Sequence, residues 1–313
     1  MALAKVVVAL GGNALQRKGD PATAAAQLEV VKKTVEYLAE MSKLDYELAI
    51  VHGNGPQIGN ILLASEAAAD VVPTMPFDVC GAMSQGYIGY HIQQALRHAL
   101  KKRNRNVPVV TIITQVVVDK DDPAFQDPTK PIGPFYTEEE AELTAKEKGY
   151  IVKEDAGRGW RRVVASPVPK RIVEFSCLRE LWDTTIVVTA GGGGIPVIEK
   201  EDGSLEGIAA VIDKDLAAAR LADDIRADIL MILTEVDKVA LNFNKPDQKD
   251  LDHMTVEEAE KYIAEGHFAP GSMLPKVQAA VNFVKGNPGK KAIITSLYNS
   301  LDALDGKSGT TIS

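Results

Sequence analysis

Residues 6–15 read VVVALGGNAL. A run of β-branched and small apolar residues stops at Gly11-Gly12, and Asn13-Ala14-Leu15 resumes a helix-compatible pattern. This predicts a buried strand that ends in a turn with bare backbone. In an open α/β sheet ligands bind beyond the carboxyl ends of the strands, so a glycine pair there offers N–H groups to an anion. The same pair is equally compatible with a tight turn that holds nothing, because glycine is the default turn residue. The rest of the chain has to decide between the two.

A chain of 313 residues can bury one large core, or a core with an added lobe. Its 45% hydrophobic and 25% charged residues are ordinary globular usage and exclude wholesale disorder. Against 43 Asp+Glu stand 35 Lys+Arg, a net charge of −8, and the one basic cluster, Lys101-Lys102-Arg103-Asn104-Arg105, reads as the solvated end of a helix. Nucleic acid is therefore not an expected partner. Cys80 and Cys177 form no CxxC and no metal-spaced group, so they are expected to be buried thiols in a reduced compartment. No charged n-region with a following h-region opens the chain and no apolar run reaches membrane-spanning length. A soluble, cytoplasmic protein with no membrane partner is the expectation.

The grammar of the first unit repeats. Asp20-Pro21 is expected to start a helix reaching Ser42, with Leu28, Val31, Val35, Leu38 and Met41 on one face. The strand ELAIV, 47–51, ends in His52-Gly53-Asn54-Gly55-Pro56-Gln57, with Pro56 at a helix start. Asp78 is expected to cap a helix to about Lys102 whose Gly81, Ala82, Ser84, Gly86 and Gly89 suit close packing in the core or between subunits. The nearly unbroken apolar run 107–118 reads as one long buried strand.

From 119 to 170 the chain turns polar and proline-rich, with a Thr137/Glu140 capping box and Gly149 as a helix stop. This is the signature of an inserted lobe or lid. TTIVVT, 184–189, then leads into Gly191-Gly192-Gly193-Gly194, and a hairpin turning at Asp202-Gly203 is expected at the sheet edge. Asp213 caps KDLAAARLADDI, DILMILT (228–234) is a strand, Thr255 with Glu258 caps a further helix, and Gly271 to Lys276 opens another that runs to Lys285. KAIIT, 291–295, is the last core strand, and the tail after Gly306 is expected as an edge strand.

Three strand ends thus carry glycine turns, and two helix starts carry lysines, Lys214 and Lys276. Glycine amides and helix N-termini bind phosphate oxygens, and lysine supplies compact charge to a phosphoryl group whose transfer needs mainly positioning and electrostatics. A cation in the first turn of a helix is opposed by the dipole by about 0.3–1 kcal/mol, a cost that an anionic ligand reverses. Asp213 and Asp215 are either simple caps or carboxylates that hold these lysines and meet Mg²⁺ indirectly. His52 reads as a turn or core histidine rather than a base. Arg158, Arg161 and Arg162 around Trp160 either reach a phosphate from the lobe or belong to its surface. Gly306-Lys307-Ser308 is not a P-loop, since position 301 is Leu and no helix follows.

GGNAL, HGNGPQ, CGAMSQG, TKPIG, EDAGRGWRRVV, GGGGIPV, VIDKDLA, LTEVD and GSMLPKV, in this order, resemble the carbamate kinases of the amino-acid kinase superfamily over essentially the whole chain. The resemblance implies a three-layer αβα sandwich around a mainly parallel sheet. It implies an N-terminal part for carbamate or carbamoyl phosphate (1–118), a protruding subdomain (119–170), a C-terminal part for ATP or ADP (171–313), and a homodimer. By the same resemblance Gly11, Gly12, Asn13, Gly53, Asn54 and Gly55 hold the substrate. Lys214 and Lys276 neutralise phosphate, with Asp215 orienting them. Gly191, Gly192, Asp213, Thr234, Val236 and Met273 join the two lysines around the nucleotide. Magnesium is implied as the cofactor, carried mainly on the nucleotide phosphates. Related acetylglutamate kinases place a lysine two residues before the glycine pair, where this chain has Ala9; in the carbamate kinases that charge comes from the TKPIG lysine, here Lys130.

Overall fold

The computed structural model describes residues 4–17, 19–44, 46–155, 157 and 159–313. Eight strands form its central sheet, numbered here in chain order: β1 (Ala4–Leu10), β2 (Tyr46–His52), β3 (Val109–Thr111), β4 (Ile186–Val188), β5 (Ile229–Thr234), β6 (His253–Met254), β7 (Lys291–Ser296) and β8 (Thr310–Ile312). They lie in the order β6-β8-β7-β5-β1-β2-β4-β3. From β7 to β3 every neighbouring pair is parallel, while β8 runs antiparallel to β7. Parallel strands need both faces covered, and near-continuous apolar sequence follows from that.

Alternation along β1 distributes its side chains between two cores. Val7 and Ala9 belong to a cluster with Ala217, Ala218, Val277 and Ala280, whereas Val6, Val8 and Leu10 belong to one with Val31, Leu38, Ile92 and Leu96. One face therefore carries the helices α6 (Lys214–Asp224) and α8 (Met273–Gly286), and the other carries α1 (Ala24–Lys43) and α3 (Phe77–Lys102). The remaining helices are α2 (Gly55–Ala67), α4 (Glu138–Lys148), α5 (Phe175–Leu181), α7 (Val256–Ala264) and α9 (Ser300–Leu304). The result is an αβα sandwich. Its α6 presents alanines to Ala9, small against small, which lets that helix lie close to β1.

Local signals place most helix ends. Thr137 and Thr255 each close a capping box with Glu140 and Glu258, Gly149 ends α4 in the left-handed region, and the Asp213 side chain accepts the Asp215 amide. Two starts differ from the expectation. Helix α1 begins after Thr23, whose hydroxyl caps Ala26, rather than at Asp20-Pro21. Helix α3 begins after Pro76, with Asp78 inside its first turn. Its basic end is tied to α1, where Arg103 meets Glu36 at 2.6 Å and Glu40 at 2.7 Å.

Larger corrections concern which sheet a strand joins. The run 107–118 is not one strand: Val109–Thr111 lies in the main sheet and Gln115–Val117 in a second, four-stranded one. Thr114 sits buried at the crossover and explains the break, because its hydroxyl bonds Ile112 O and Thr189 and accepts the Ala190 amide. The hairpin Ile195–Glu199 with Leu205–Gly207 belongs to that second sheet rather than to the main edge. The tail strand β8 is interior, since β6 covers its outer side. Cys80 is buried as expected, but Cys177 is exposed on α5.

Within 119–170, Lys130–Tyr136, Val152–Glu154 and Trp160–Val164 form an antiparallel sheet beside α4. Lys130–Tyr136 is an edge strand, and this is how it tolerates Pro131 and Pro134. Among the described residues no helix is long and apolar enough to cross a membrane.

Candidate active site

The carboxyl ends of β1, β2, β4, β5 and β7 all open on one edge of the main sheet, and the amino ends of α6 and α8 bring in the charge. Asp215, the second residue of α6, is only 2% exposed in its side chain. One of its oxygens takes a hydrogen bond from Lys214 Nζ, and the other takes one from Lys276 Nζ at 2.8 Å. Both lysines are themselves largely buried, at 14% and 15% exposed. Burial pushes the Lys214 ammonium below its ordinary range; Asp215 works against that, and the like charge of Lys276 adds to it. A phosphate placed here would act in the same sense as Asp215 and raise it again.

A second carboxylate extends the group. Asp213 accepts the Asp215 amide at 2.8 Å and takes a hydrogen bond from Lys130 Nζ at 2.9 Å. Burial alone would raise its carboxyl, but the Lys130 and Lys214 charges and the amide outweigh that and hold it at about 2. Gly53 closes the set from β2: a Cβ on it would lie 3.5 Å from Cδ of Lys214, so this turn rests against the lysine stem.

Beside the lysines opens a cleft of about 740 Å³, lined at one end by Gly11, Gly12, Asn13, Lys214 and Lys276 and continued by Thr234, Val236 and Met273. Its far wall is apolar, from Ala240, Phe243, Phe268 and Ala269. Volume and wall suit a purine base with its phosphates toward the lysines. Gly11 is required where it is, because a Cβ there would lie 2.9 Å from the Leu233 carbonyl.

The chain is similar to known proteins over nearly its whole length. The profile of the amino acid kinase family matches residues 4–296. The carbamate kinase of Pyrococcus horikoshii is 56% identical over 311 residues, 98% of either chain, and that of Clostridium perfringens is 56% identical over 312 residues, 98% of this chain and 99% of its own. The chain belongs to the amino acid kinase family, among its carbamate kinases. A solved structure of the carbamate kinase from Giardia lamblia bound to AMP-PNP superposes with a TM-score of 0.92 at 46% identity, covering 99% of this chain and 98% of that one.

In this kinase the expected site residues do not all fall on one side. Lys214, Asp215 and Lys276 come together, with Lys130 attached through Asp213. Gly11, Gly12 and Asn13, expected around the small substrate, line the large cleft along with Thr234, Val236 and Met273. Gly191, Gly192 and Asp213, expected around the nucleotide, do not line it. Gly191 and Gly192 pack instead on the β2 turn, where a Cβ would lie 2.4 Å from Nε2 of His52 and 2.2 Å from Nδ2 of Asn54. Asn54 is turned by its bond to Ser84, and Gln85 holds the Gly191 carbonyl at 3.0 Å while also gripping Thr114. Glu235, inside the LTEVD motif but not among the expected site residues, accepts from the Asn13 side chain. The aromatic residues Phe243 and Phe268 belong to no motif, because their positions in separate loops leave no local spacing to read.

Two of the lobe arginines are engaged within the lobe. Arg161 donates to the Gly133 carbonyl at 2.8 Å and pairs with Asp155, and Arg162 stacks on Tyr150 with its guanidinium 3.5 Å from the ring centre. Arg158 lies outside the described residues. Tyr150 and Lys148 both donate to Glu66 of α2, so the lobe is anchored there as well.

His52 is 1% exposed, with Nδ1–H donating to the Gly53 carbonyl at 2.8 Å. Burial lowers it to about 4 against that bond, so it is neutral near pH 7, and its weak basicity and burial suit it poorly to general-base work. Because the folded value lies below the unfolded one, near 6.5, the contribution is full above pH 6.5 and is lost as pH falls toward 4. The shift corresponds to about 3 kcal/mol. Chemical denaturation at pH 7.5 and 4.5 should show this loss in wild type and a clearly smaller pH slope in His52→Asn, whatever that variant's absolute stability; equal slopes would contradict it.

Proposed function

We propose that this chain transfers a phosphoryl group reversibly between carbamoyl phosphate and ADP, giving ATP and carbamate. The observation that carries the reading is the Lys214–Asp215–Lys276 group at the head of a nucleotide-sized cleft. The transferring phosphoryl group spreads negative charge over its oxygens, and two fixed ammonium groups meet that charge without reorganising. The carbamate oxygen is already an anion, so no base has to activate it, and a neutral, buried His52 is consistent with that. Carbamoyl phosphate is a mixed anhydride, and transfer to ADP is the favoured direction.

Ala9 supports carbamate over an acetylglutamate-type substrate. It is fully buried in the cluster shared with Ala217 and Ala218, where a lysine would not fit, so the third charge has to come from elsewhere. Lys130, held by Asp213, is the candidate. For magnesium the donor set supports a metal carried on the nucleotide. Asp215 is engaged by two lysines, Asp213 by Lys130 and an amide, and among the described residues no three acidic, His or Cys groups assemble a cage. These residues suit a Mg²⁺ that arrives on the nucleotide phosphates, where it would neutralise β- and γ-oxygens. In a coupled assay the wild-type enzyme should form ATP from carbamoyl phosphate and ADP, and Lys276→Ala should lower kcat by about 100-fold or more. Failure of the wild type, or a Lys276→Ala loss under about tenfold, would overturn the reading.

We also propose a homodimer through α3. Gly81 and Gly89 are spent inside the chain, Gly89 against Thr111, but Val79, Met83 and Tyr90 on the outer face of α3 are exposed, as is Ile113 beside Gly86. Light scattering should give twice the chain mass for wild type and a shift to monomer in Met83→Glu; a monomeric wild type would exclude this interface.

A further inference from the structure

The two oxygens of Asp213 serve distant parts of the chain. Oδ1 caps α6 through the Asp215 amide, and Oδ2 takes Lys130 Nζ at 2.9 Å, 83 residues away on the first lobe strand. The carboxylate is 13% exposed and the lysine 30%, so the pair is not a solvated surface contact. Capping explains only one oxygen. Thr23, Thr137 and Thr255 cap their helices here with a hydroxyl, and serine or asparagine would serve as well. The negative charge and the second oxygen answer to Lys130. The next residue along is Lys214, and the residue whose amide is capped holds Lys214 and Lys276, so one side chain links the lobe's cation to the charged end of α6.

We propose that Asp213 is a positioning residue that docks Lys130 beside the Lys214–Asp215–Lys276 group, so that the lobe lysine reaches the transferring phosphoryl group only while this carboxylate holds it near. The proposal rests on the phosphoryl-transfer reading and adds to it the device that places the third charge. The other attachments of the lobe, Glu66 with Lys148 and Tyr150, and Gly59 against Gly133, fix where the lobe sits on α2. Asp213 fixes where its lysine sits.

The test is a double-mutant cycle in the full chain with Asp213→Ser, Lys130→Ala and the combination. Serine retains a cap and is too short to meet Lys130. Each single change should lower kcat by about tenfold or more with KM for ADP within about threefold of wild type, and the double should fall no more than about threefold below Lys130→Ala. Losses that multiply in the double, or an Asp213→Ser enzyme keeping more than about half of the wild-type kcat, would overturn the proposal. Amide exchange across 130–136 separates this outcome from failure of the reaction itself. If wild type transfers nothing from carbamoyl phosphate to ADP, the functional reading falls, and exchange decides the docking alone. Similar acceleration in both singles and the double supports it, and unchanged exchange in Asp213→Ser overturns it.

Discussion

One buried carboxylate, Asp215, held between two ammonium groups, is the interaction on which the rest of this structure depends. Taking charges out of water costs several kcal/mol per ion, and removing one partner of a buried pair typically costs about 3–5 kcal/mol because the other is left uncompensated. The group Lys214–Asp215–Lys276 therefore stands or falls as a unit, and as a unit it carries a surplus positive charge. Both lysines also lie in the first turn of a helix, where the dipole opposes them. An arrangement that is uneasy by itself becomes favourable once an anion sits in front of it. The lowered ammonium of Lys214 is one expression of that tension.

The fold delivers the group by packing alone. Alternation along β1 turns Val7 and Ala9 toward α6 and α8, and the alanines of α6 let that helix settle close to the sheet. Its first residues then come level with the carboxyl ends of β1 and β2. The glycine turns finish the job in different ways. Gly11 yields to the Leu233 carbonyl, and Gly191 and Gly192 yield to His52 and Asn54. The second of these turns is supported by Gln85, Thr114 and Thr189, a buried polar network in which each member has a partner.

Much of this was legible in the sequence because it is local. Strand, glycine turn and helix recur within a few residues of each other, the capping boxes at Thr137 and Thr255 are four-residue signals, and Lys214 and Lys276 announce themselves by standing where a helix start disfavours them. What was not legible depends on partners distant in the chain. A largely apolar run such as 107–118 looks the same whether it stays in one sheet or crosses to another, and Thr114 at the crossover is no more conspicuous in it than Thr111. The hairpin after Gly194 carries no record of which sheet it joins. The tail gave no sign that the two-residue strand His253–Met254 would cover it. Pro131 and Pro134 made the first lobe strand resemble a loop, since the edge position that excuses them is a property of the assembled lobe. The packing of Gly191 and Gly192 on His52 and Asn54 joins residues more than 130 positions apart, so a run of four glycines by itself does not tell which turn it meets.

Asp215 is read here as the residue that holds two lysines in place for a phosphoryl group. Asparagine is nearly its isostere and keeps one acceptor oxygen, but it lacks the charge that offsets two buried ammonium groups. The most direct measurement is steady-state kinetics of ATP formation by Asp215→Asn. The kcat should fall by about 100-fold or more with a much smaller change in KM for ADP, the mark of an interaction realised in the transition state; a kcat within about threefold of wild type would show that the lysines do not need this carboxylate.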